Sequence, residues 1–291
     1  MASWAFESPA PLSDTQYAQW QQLLEQRTGI CFMQHRSILQ AGLVLRMREI
    51  GISDYDAYFQ QVSAVPQGAI EWSLLVDRIS VKETSFFRDA DAFKAVKQFL
   101  LKRLDAQLRP QDDTLEIWSV GCSTGEEAYS LAMVANDMVD YTRAKVFIGV
   151  TATDISSTAL HYARRGAYAP RKLERVPVEA KIKYFSEQGD KHFHIVPGLK
   201  QKLCFTQGNI LELAQAPAIK MDIIYCQNVL IYFQRRRHKQ LLDMFAERLK
   251  PGGLLVMGAG EVTNWRHPNM KRLADEHVLA YIHADEHVTA D

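Results

Sequence analysis

The residues best suited to chemistry lie between 115 and 129, Leu-Glu-Ile-Trp-Ser-Val-Gly-Cys-Ser-Thr-Gly-Glu-Glu-Ala-Tyr. Residues 115–120 are a short, mostly apolar run with a β-branched and aromatic bias, the pattern of a buried strand. Gly121 and Gly125 bracket a loop of small residues, and residues 126–139 read as a helix. A strand that turns through glycines into a helix N-terminus is expected to bring backbone N–H groups close to a ligand, although it can also be only a tight turn. A second apolar run, 146–152, leads into Thr153-Asp154. A carboxylate ending the next strand can accept both hydroxyls of a ribose. The loop is not G-x-G-x-x-G, and Glu126 and Glu127 at the helix start would repel a pyrophosphate. The pattern therefore fits S-adenosylmethionine better than a dinucleotide, because that cofactor has no phosphate, an amino-acid end and a cationic sulfonium.

These residues need a sheet with helices to hold them, and the chain supplies both. From residue 115 onward strand and helix patterns alternate, which predicts an α/β domain with a largely parallel sheet. Strands are expected at 115–120, 146–152, 203–207, 222–227, 253–258 and 278–283, and helices at 126–139, 157–165, 178–185 and 235–249. Lys250-Pro-Gly-Gly253 reads as a helix stop and turn before the fifth strand. A short alternating strand around 192–196, followed by Pro197-Gly198, predicts a small β insertion over about 186–205.

Upstream of 115 only helical patterns occur. Ser13-Asp-Thr-Gln16 is a capping-box start to a helix that Gly29 stops. A second helix is expected over 36–50, with Leu39, Leu43 and Met47 as its buried stripe, then short helices from 53 and over 70–80. The parse is a helical bundle over 1–80, a linking loop and helix over 81–113 with a helix at 91–108 and a turn at 110–113, and the α/β domain over 114–291. His35, Arg36, Arg46 and Arg48 make the second helix basic, either as a solvated face or as a docking face for an acidic partner helix.

The 291 residues carry 34 Lys+Arg and 34 Asp+Glu, so the charge balance gives no case for nucleic acid or a membrane surface. No stretch reaches the length of a membrane helix and the N-terminus has no signal-like apolar region, so a soluble, cytoplasmic protein without direct membrane insertion is expected. Cys31, Cys122, Cys204 and Cys226 show no C-x-x-C spacing and no His cluster accompanies them; reduced core residues and no metal site are expected.

Five stretches, in order and spacing, resemble the chemotaxis-receptor glutamate methyltransferases of the CheR type. They are Val-Lys-Glu-Thr-Ser-Phe-Phe-Arg-Asp (81–89), Trp-Ser-Val-Gly-Cys-Ser-Thr-Gly-Glu-Glu (118–127), Ala-Thr-Asp154-Ile, Gly208-Asn209-Ile210-Leu211 and Cys226-Gln-Asn-Val-Leu-Ile-Tyr-Phe233. The resemblance runs from about residue 13 to 283. It implies a class I S-adenosylmethionine-dependent methyltransferase (Rossmann-like) domain with a small β subdomain, behind an N-terminal helical domain. It also implies O-methylation of glutamate side chains on the cytoplasmic part of a methyl-accepting chemoreceptor, with S-adenosylhomocysteine as product. The chain length resembles the member associated with twitching (type IV pilus) motility.

By motif position, the resemblance implies cofactor contacts from Thr84, Arg88, Glu127, Asp154, Asn209, Ile210, Asn228 and Val229, with Arg88 and Tyr232 facing the methyl group and the acceptor. Lys82 stands where the family commonly has Asn, Ala128 where Pro is common and Gln227 where Arg is common, while Gly258-Ala-Gly-Glu261 replaces a Gly-His-Ser-Glu-like run. From the residues alone, Arg88 could hold a carboxylate through its planar fork or pair with Asp89 or Asp91, and Tyr232 could donate a hydrogen bond or pack as a core aromatic. The run Asn228-Val-Leu-Ile-Tyr232, lacking Pro-Pro-Tyr, speaks against amino-methylation of a flipped nucleobase. Two other readings stay open: a binding module that keeps fold and cofactor without turnover, and a nicotinamide oxidoreductase, which the missing third glycine disfavours.

Overall fold

Local signals start and stop the helices as the spacing predicts. In a computed structural model describing residues 10–32, 36–105, 114–189, 191–213, 219–262 and 264–284, the first helix, α1 (Asp14–Thr28), has both halves of its capping box formed. The Gln16 amide donates to Ser13 Oγ, and the Ser13 amide donates to Gln16 Oε1, both at 3.2 Å. Gly29 ends the helix at φ +77°. Then follow α2 (Arg36–Ile50), α3 (Tyr55–Ser63), α4 (Ala69–Ile79) and α5 (Ala90–Arg103). Leu39, Leu43 and Met47 are fully buried in a cluster with Trp20, Tyr58 and Leu75, so the four-residue stripe is the face that closes the bundle. The expected turn at 110–113, the end of the helix expected over 91–108, and His35 lie outside the described residues.

The α2 cations are not a free docking face. Arg46 grips Glu71 through Nε and Nη2, each at 2.7 Å, and Glu49 through Nη1 at 2.7 Å. Tyr58 donates its hydroxyl to the same Glu71 at 2.8 Å. Arg36 is held by Asp14 at 2.6 Å and by the Leu12 carbonyl, and stacks over Tyr17. Of the described cations on this helix, Arg48 is the one left exposed and without an ion pair. The expectation of a basic stripe fails for Arg46 because its acidic partner comes from α4, 25 residues along the chain.

The α/β part comprises β1 (Thr114–Val120), α6 (Glu126–Thr142), β2 (Phe147–Asp154), α7 (Ser157–Arg165), β3 (Ala167–Tyr168), α8 (Val178–Tyr184), β4 (Phe185–Glu187) and β5 (Phe193–Ile195). It continues with α9 (Pro197–Lys200), β6 (Leu203–Gln207), α10 (Ile210–Leu213), β7 (Met221–Cys226), α11 (Arg235–Arg248), β8 (Leu249–Met257), β9 (Met270–Arg272) and β10 (Leu279–His283). The main sheet has the order β6-β2-β1-β7-β8-β10-β9. Its first five strands are parallel, and β10 and β9 add antiparallel to the end. β7 is buried at every position, as a central parallel strand covered on both faces must be.

Two details differ from the sequence expectation. The small antiparallel sheet is β3-β5-β4, so it draws one strand from Ala167–Tyr168, while residues 203–205 belong to edge strand β6 of the main sheet. Two residues carry no period from which a strand could be read. Residues 250–253 do not form a free turn: Met221 pairs with Leu249 and Ile223 with Leu254, so the Pro-Gly-Gly run is an irregularity inside β8. Of the cysteines, Cys122 and Cys226 are buried, Cys31 is half-buried, and Cys204 is exposed because it lies on the edge strand.

No described helix is long and apolar enough to cross a membrane, and no described group of three or more His, Cys, Asp and Glu could hold a metal ion.

Candidate cofactor and methyl-transfer site

The chain reverses its winding direction on either side of β1, and a sheet opens a crevice at the C-terminal ends of its strands where that happens. A cavity lies there. Gly121, directly after β1, has φ +70°, and a Cβ on it would stand 2.5 Å from Val229 Cγ2. The glycine is therefore required by both the turn and the close approach of the segment after β7.

The loop amides are used differently from the sequence expectation. Gly121 and Cys122 donate to the Thr153 carbonyl at 2.8 and 2.9 Å, Ser123 donates to Asp154 Oδ2 at 2.8 Å, and Gly125 donates to the Cys122 carbonyl at 2.9 Å. They tie the loop to the end of β2 instead of presenting a row of donors to a ligand. A pyrophosphate would find no amide cradle here. Ser123 is a wall residue of the cavity, and its buried hydroxyl has no hydrogen-bond partner.

All nine residues singled out in the sequence line this cavity: Thr84, Arg88, Glu127, Asp154, Asn209, Ile210, Asn228, Val229 and Tyr232. They come from five separate segments. The helical bundle adds a wall that spacing could not reveal, Thr28, Ile30 and Phe32. It is fastened by the Cys31 amide on the Tyr232 carbonyl at 2.7 Å and by a bridge between Ile30 and Phe233. Asn209 is the least available of the nine, since Nδ2 donates to the Arg27 carbonyl at 3.0 Å and Oδ1 accepts from the Leu211 amide at 3.0 Å.

Arg88 does not pair with Asp89 or Asp91. Its guanidinium is exposed and, among the described residues, donates to the Glu83 carbonyl alone, at 3.3 Å. Asp89 instead caps α5, accepting from the Ala92 amide at 3.0 Å, and accepts from Gln227 Nε2 at 2.8 Å. Tyr232 is half-buried, unlike its neighbour Phe233, which belongs to the core. Lys82 is not a wall residue, although Val81, Glu83 and Thr84 are. Its charge favours the ionised form of Asp154 and so offsets part of that group's burial.

Glu127 and Asp154 line the cavity, and Glu261 holds the 228–231 segment that forms part of its wall; none of the three forms an ion pair among the described residues. Burial pushes the Asp154 carboxyl up, opposed by the Ser156 and Ser123 amides. Burial also pushes Glu127 up, to about 8, despite a hydrogen bond from Ser119 Oγ at 2.7 Å and the nearby charge of Arg88. Glu261 is pushed up by burial against several backbone amides. The Tyr232 hydroxyl is raised by burial, so it is a donor at neutral pH.

Gln227 and Glu261 are positioning groups that motif spacing did not assign. Gln227 links the Arg88–Asp89 segment to β7, accepting from Tyr225 Oη at 3.0 Å while donating to Asp89. Glu261 accepts from the amides of Gly258 at 2.8 Å, Leu230 at 3.0 Å and Ile231 at 3.4 Å, which fixes the 228–231 segment beside Gly121. Their partners are too far along the chain for any local pattern to show.

This donor set fits S-adenosylmethionine. Acceptors on Asp154 suit hydroxyls, the carboxylates suit a cation, the Ser123 hydroxyl awaits a partner, and Ile210, Val229 and Phe32 offer apolar walls for a base.

Comparison with known proteins agrees. Residues 15–80 match the all-alpha domain of CheR methyltransferases, and residues 82–279 match their S-adenosylmethionine-binding domain. The chain is 33% identical over 195 residues to a chemotaxis protein methyltransferase of Borreliella burgdorferi, covering 67% of this chain and 69% of that one. It is 32% identical over 257 residues to that of Salmonella typhimurium, covering 86% and 84%. With the chemotaxis protein methyltransferase of Escherichia coli it shares 31% identity over 263 residues, covering 88% and 86%. The chain belongs to the CheR family and is an S-adenosylmethionine-dependent chemotaxis protein methyltransferase.

Proposed function

We propose that this enzyme methylates glutamate side chains on the cytoplasmic helical bundle of a methyl-accepting chemoreceptor, acting from the cytoplasm in adaptation of chemotaxis or of pilus-based twitching motility. The observation that carries the site reading is the pairing of Arg88 and Tyr232. Both line the cavity, and the cation lies close enough to the phenol to favour its ionised form. A cation beside a hydroxyl donor is what an incoming carboxylate needs.

Bound S-adenosylmethionine supplies a methyl group on a positively charged sulfur. A glutamate carboxylate, with an ordinary pKa of about 4.3, is already ionised at neutral pH, so no residue has to remove a proton. The protein's part is to aim one oxygen along the sulfur–methyl axis and exclude water. In this reading Arg88 and Tyr232 orient the acceptor, Asp154 holds the ribose hydroxyls, and Glu127 faces the ammonium of the amino-acid end. Thr84, Asn209, Ile210, Asn228 and Val229 complete the cofactor wall.

Incubating the protein with methyl-labelled cofactor and receptor-bearing membranes tests this. Label in a membrane protein, released as methanol by alkali, is the expected result; cofactor binding without any such ester would favour the non-catalytic module. Arg88→Ala should lower single-turnover transfer by about a hundredfold and Tyr232→Phe by less, with melting near wild type. Full activity of Tyr232→Phe would return that residue to the core.

Docking on the helical bundle fits the exposed Arg48, so Arg48→Glu should slow receptor methylation a few-fold, more at low salt, with cofactor affinity unchanged. The residues 186–205 leave one short turn of helix, α9, between β5 and β6, which supports direct docking over capture of a receptor-tail peptide. Tight binding of a free tail peptide would overturn that preference.

A further inference from the structure

Asp77 lies near the end of α4, in the helical bundle, and is 5% exposed. Its carboxylate makes no ion pair with a described residue. Instead it accepts from the N-terminus of α7 in the other domain. Oδ1 takes the Ser156 hydroxyl at 2.6 Å and the Thr158 amide at 3.2 Å; Oδ2 takes the hydroxyls of Ser157 at 2.8 Å and Thr158 at 3.0 Å. A carboxylate at a helix N-terminus is well placed for the helix dipole, but dipole stabilisation alone does not require four bonds across a domain boundary.

Ser156 is the residue that converts this contact into one with the cavity. Its hydroxyl, while donating to Asp77, accepts from the Ala159 amide at 3.1 Å and so caps α7. Its own amide donates to Asp154 Oδ1 at 2.8 Å. With Ser123 on Oδ2, the carboxylate of Asp154 is fixed by two amides, which leaves its remaining lone pairs directed by where those amides stand. Beyond Asp77 the chain runs directly into Ile79, Ser80 and Val81, which line the same cavity.

We propose that Asp77 is a positioning residue for the cofactor: by fixing Ser156 it aims Asp154, so the seating of the helical domain on α7 sets how tightly the ribose is held. This rests on the reading of Asp154 as the ribose-holding group. The contact is distinct from simple charge. The negative charge of Asp77 disfavours ionisation of Asp154, so an effect through charge alone would make its removal tighten binding.

Calorimetry with S-adenosylhomocysteine on the full chain separates the alternatives. Asp77→Ala should weaken binding about tenfold, and Asp77→Asn, which keeps one acceptor, by less. In an Asp154→Ala background Asp77→Ala should cost nothing more, and in the single variant Asp77→Ala the loss should fall on KM for the cofactor far more than on kcat. Should Asp77→Ala fail to fold, Asp77→Asn gives the same reading in sign. Unchanged or tighter binding in Asp77→Asn, or losses that add in the double variant, would overturn the inference while leaving Asp154 in its role. Unchanged binding in Asp154→Ala would remove the ribose reading itself, and this inference with it.

Discussion

The two ends of the central strand β7 treat buried charge in opposite ways. At its start, Asp222 is 1% exposed and fully engaged. Oδ1 accepts from Arg103 Nε at 2.9 Å and Nη2 at 2.7 Å; Oδ2 accepts from Lys250 Nζ and from the Glu116 amide, both at 2.9 Å. At its far end, around Asn228, the carboxyls of Glu127, Asp154 and Glu261 are raised by burial and have no ion-pair partner among the described residues. The first end is a closed structural cluster in which protein cations meet a protein anion. At the second the carboxylates accept only from backbone amides and a hydroxyl, and two of them, Glu127 and Asp154, stand in the cavity wall, an arrangement compatible with a cationic ligand. The same sheet thus carries, at one end, a buried acid paired with protein cations and, at the other, raised acids at or behind a cavity wall, the pattern that marks candidate ligand sites.

That contrast can be broken by swapping the expected phenotypes. Asp222→Ala takes an ion-pair partner from Arg103 and from Lys250, whose side chains are 16% and 15% exposed, and removes the acceptor of the Glu116 amide. Removing one partner of such a cluster should cost about 3 kcal/mol of stability, read by urea denaturation, with cofactor affinity unchanged in the folded protein. A loss below about 1 kcal/mol would mean that the cluster is not what anchors this end. Asp154→Ala should do the reverse. It should lower cofactor affinity by about tenfold to a hundredfold, roughly 1–3 kcal/mol, with a smaller loss of unfolding free energy than Asp222→Ala, from the Ser123 and Ser156 amides it releases. Unchanged affinity in the folded variant would strike Asp154 from the ribose site.

The functional end was more legible in the sequence than the structural end, and locality is the reason. The strand period over 115–120, the two glycines and the acid closing the next strand are each written within a few residues, and the capping box at Ser13–Gln16 is equally local. By contrast, Arg103 lies 119 residues from Asp222, Gln227 lies 138 from Asp89, and Glu261 lies 31 from the Leu230 amide. No pattern links positions so far apart. The sequence also misled where a local reading was overridden by a distant partner, as in Arg46, read as surface charge but taken up by Glu71. The loop amides were misassigned for the same reason, since their acceptors Thr153 and Asp154 come from another strand.

Glu127 gives the smallest effect and the most direct test of whether the cavity awaits a cation. In the free protein its carboxyl is pushed up to about 8 from an ordinary 4.5, burial being the main cause. A raised acid binds its proton longer in the folded state than in the unfolded one. Its contribution therefore makes stability fall as pH rises from about 4.5 to about 8. A cation lodged beside it favours the ionised form and reverses this, so binding at pH 7 should release close to one proton. If only the ionised form accepts the cofactor, affinity should rise by about tenfold between pH 7 and pH 9 and then level off. Deprotonation of the cofactor's own ammonium acts in the opposite direction, so the slope must be read against Glu127→Gln, which has no proton to lose. Calorimetry of S-adenosylmethionine binding in two buffers of different ionisation enthalpy measures the released proton directly. Equal proton release in wild type and Glu127→Gln would show that Glu127 is only a first-turn helix charge, and that the unpaired acids at this end of β7 do not select a cationic ligand.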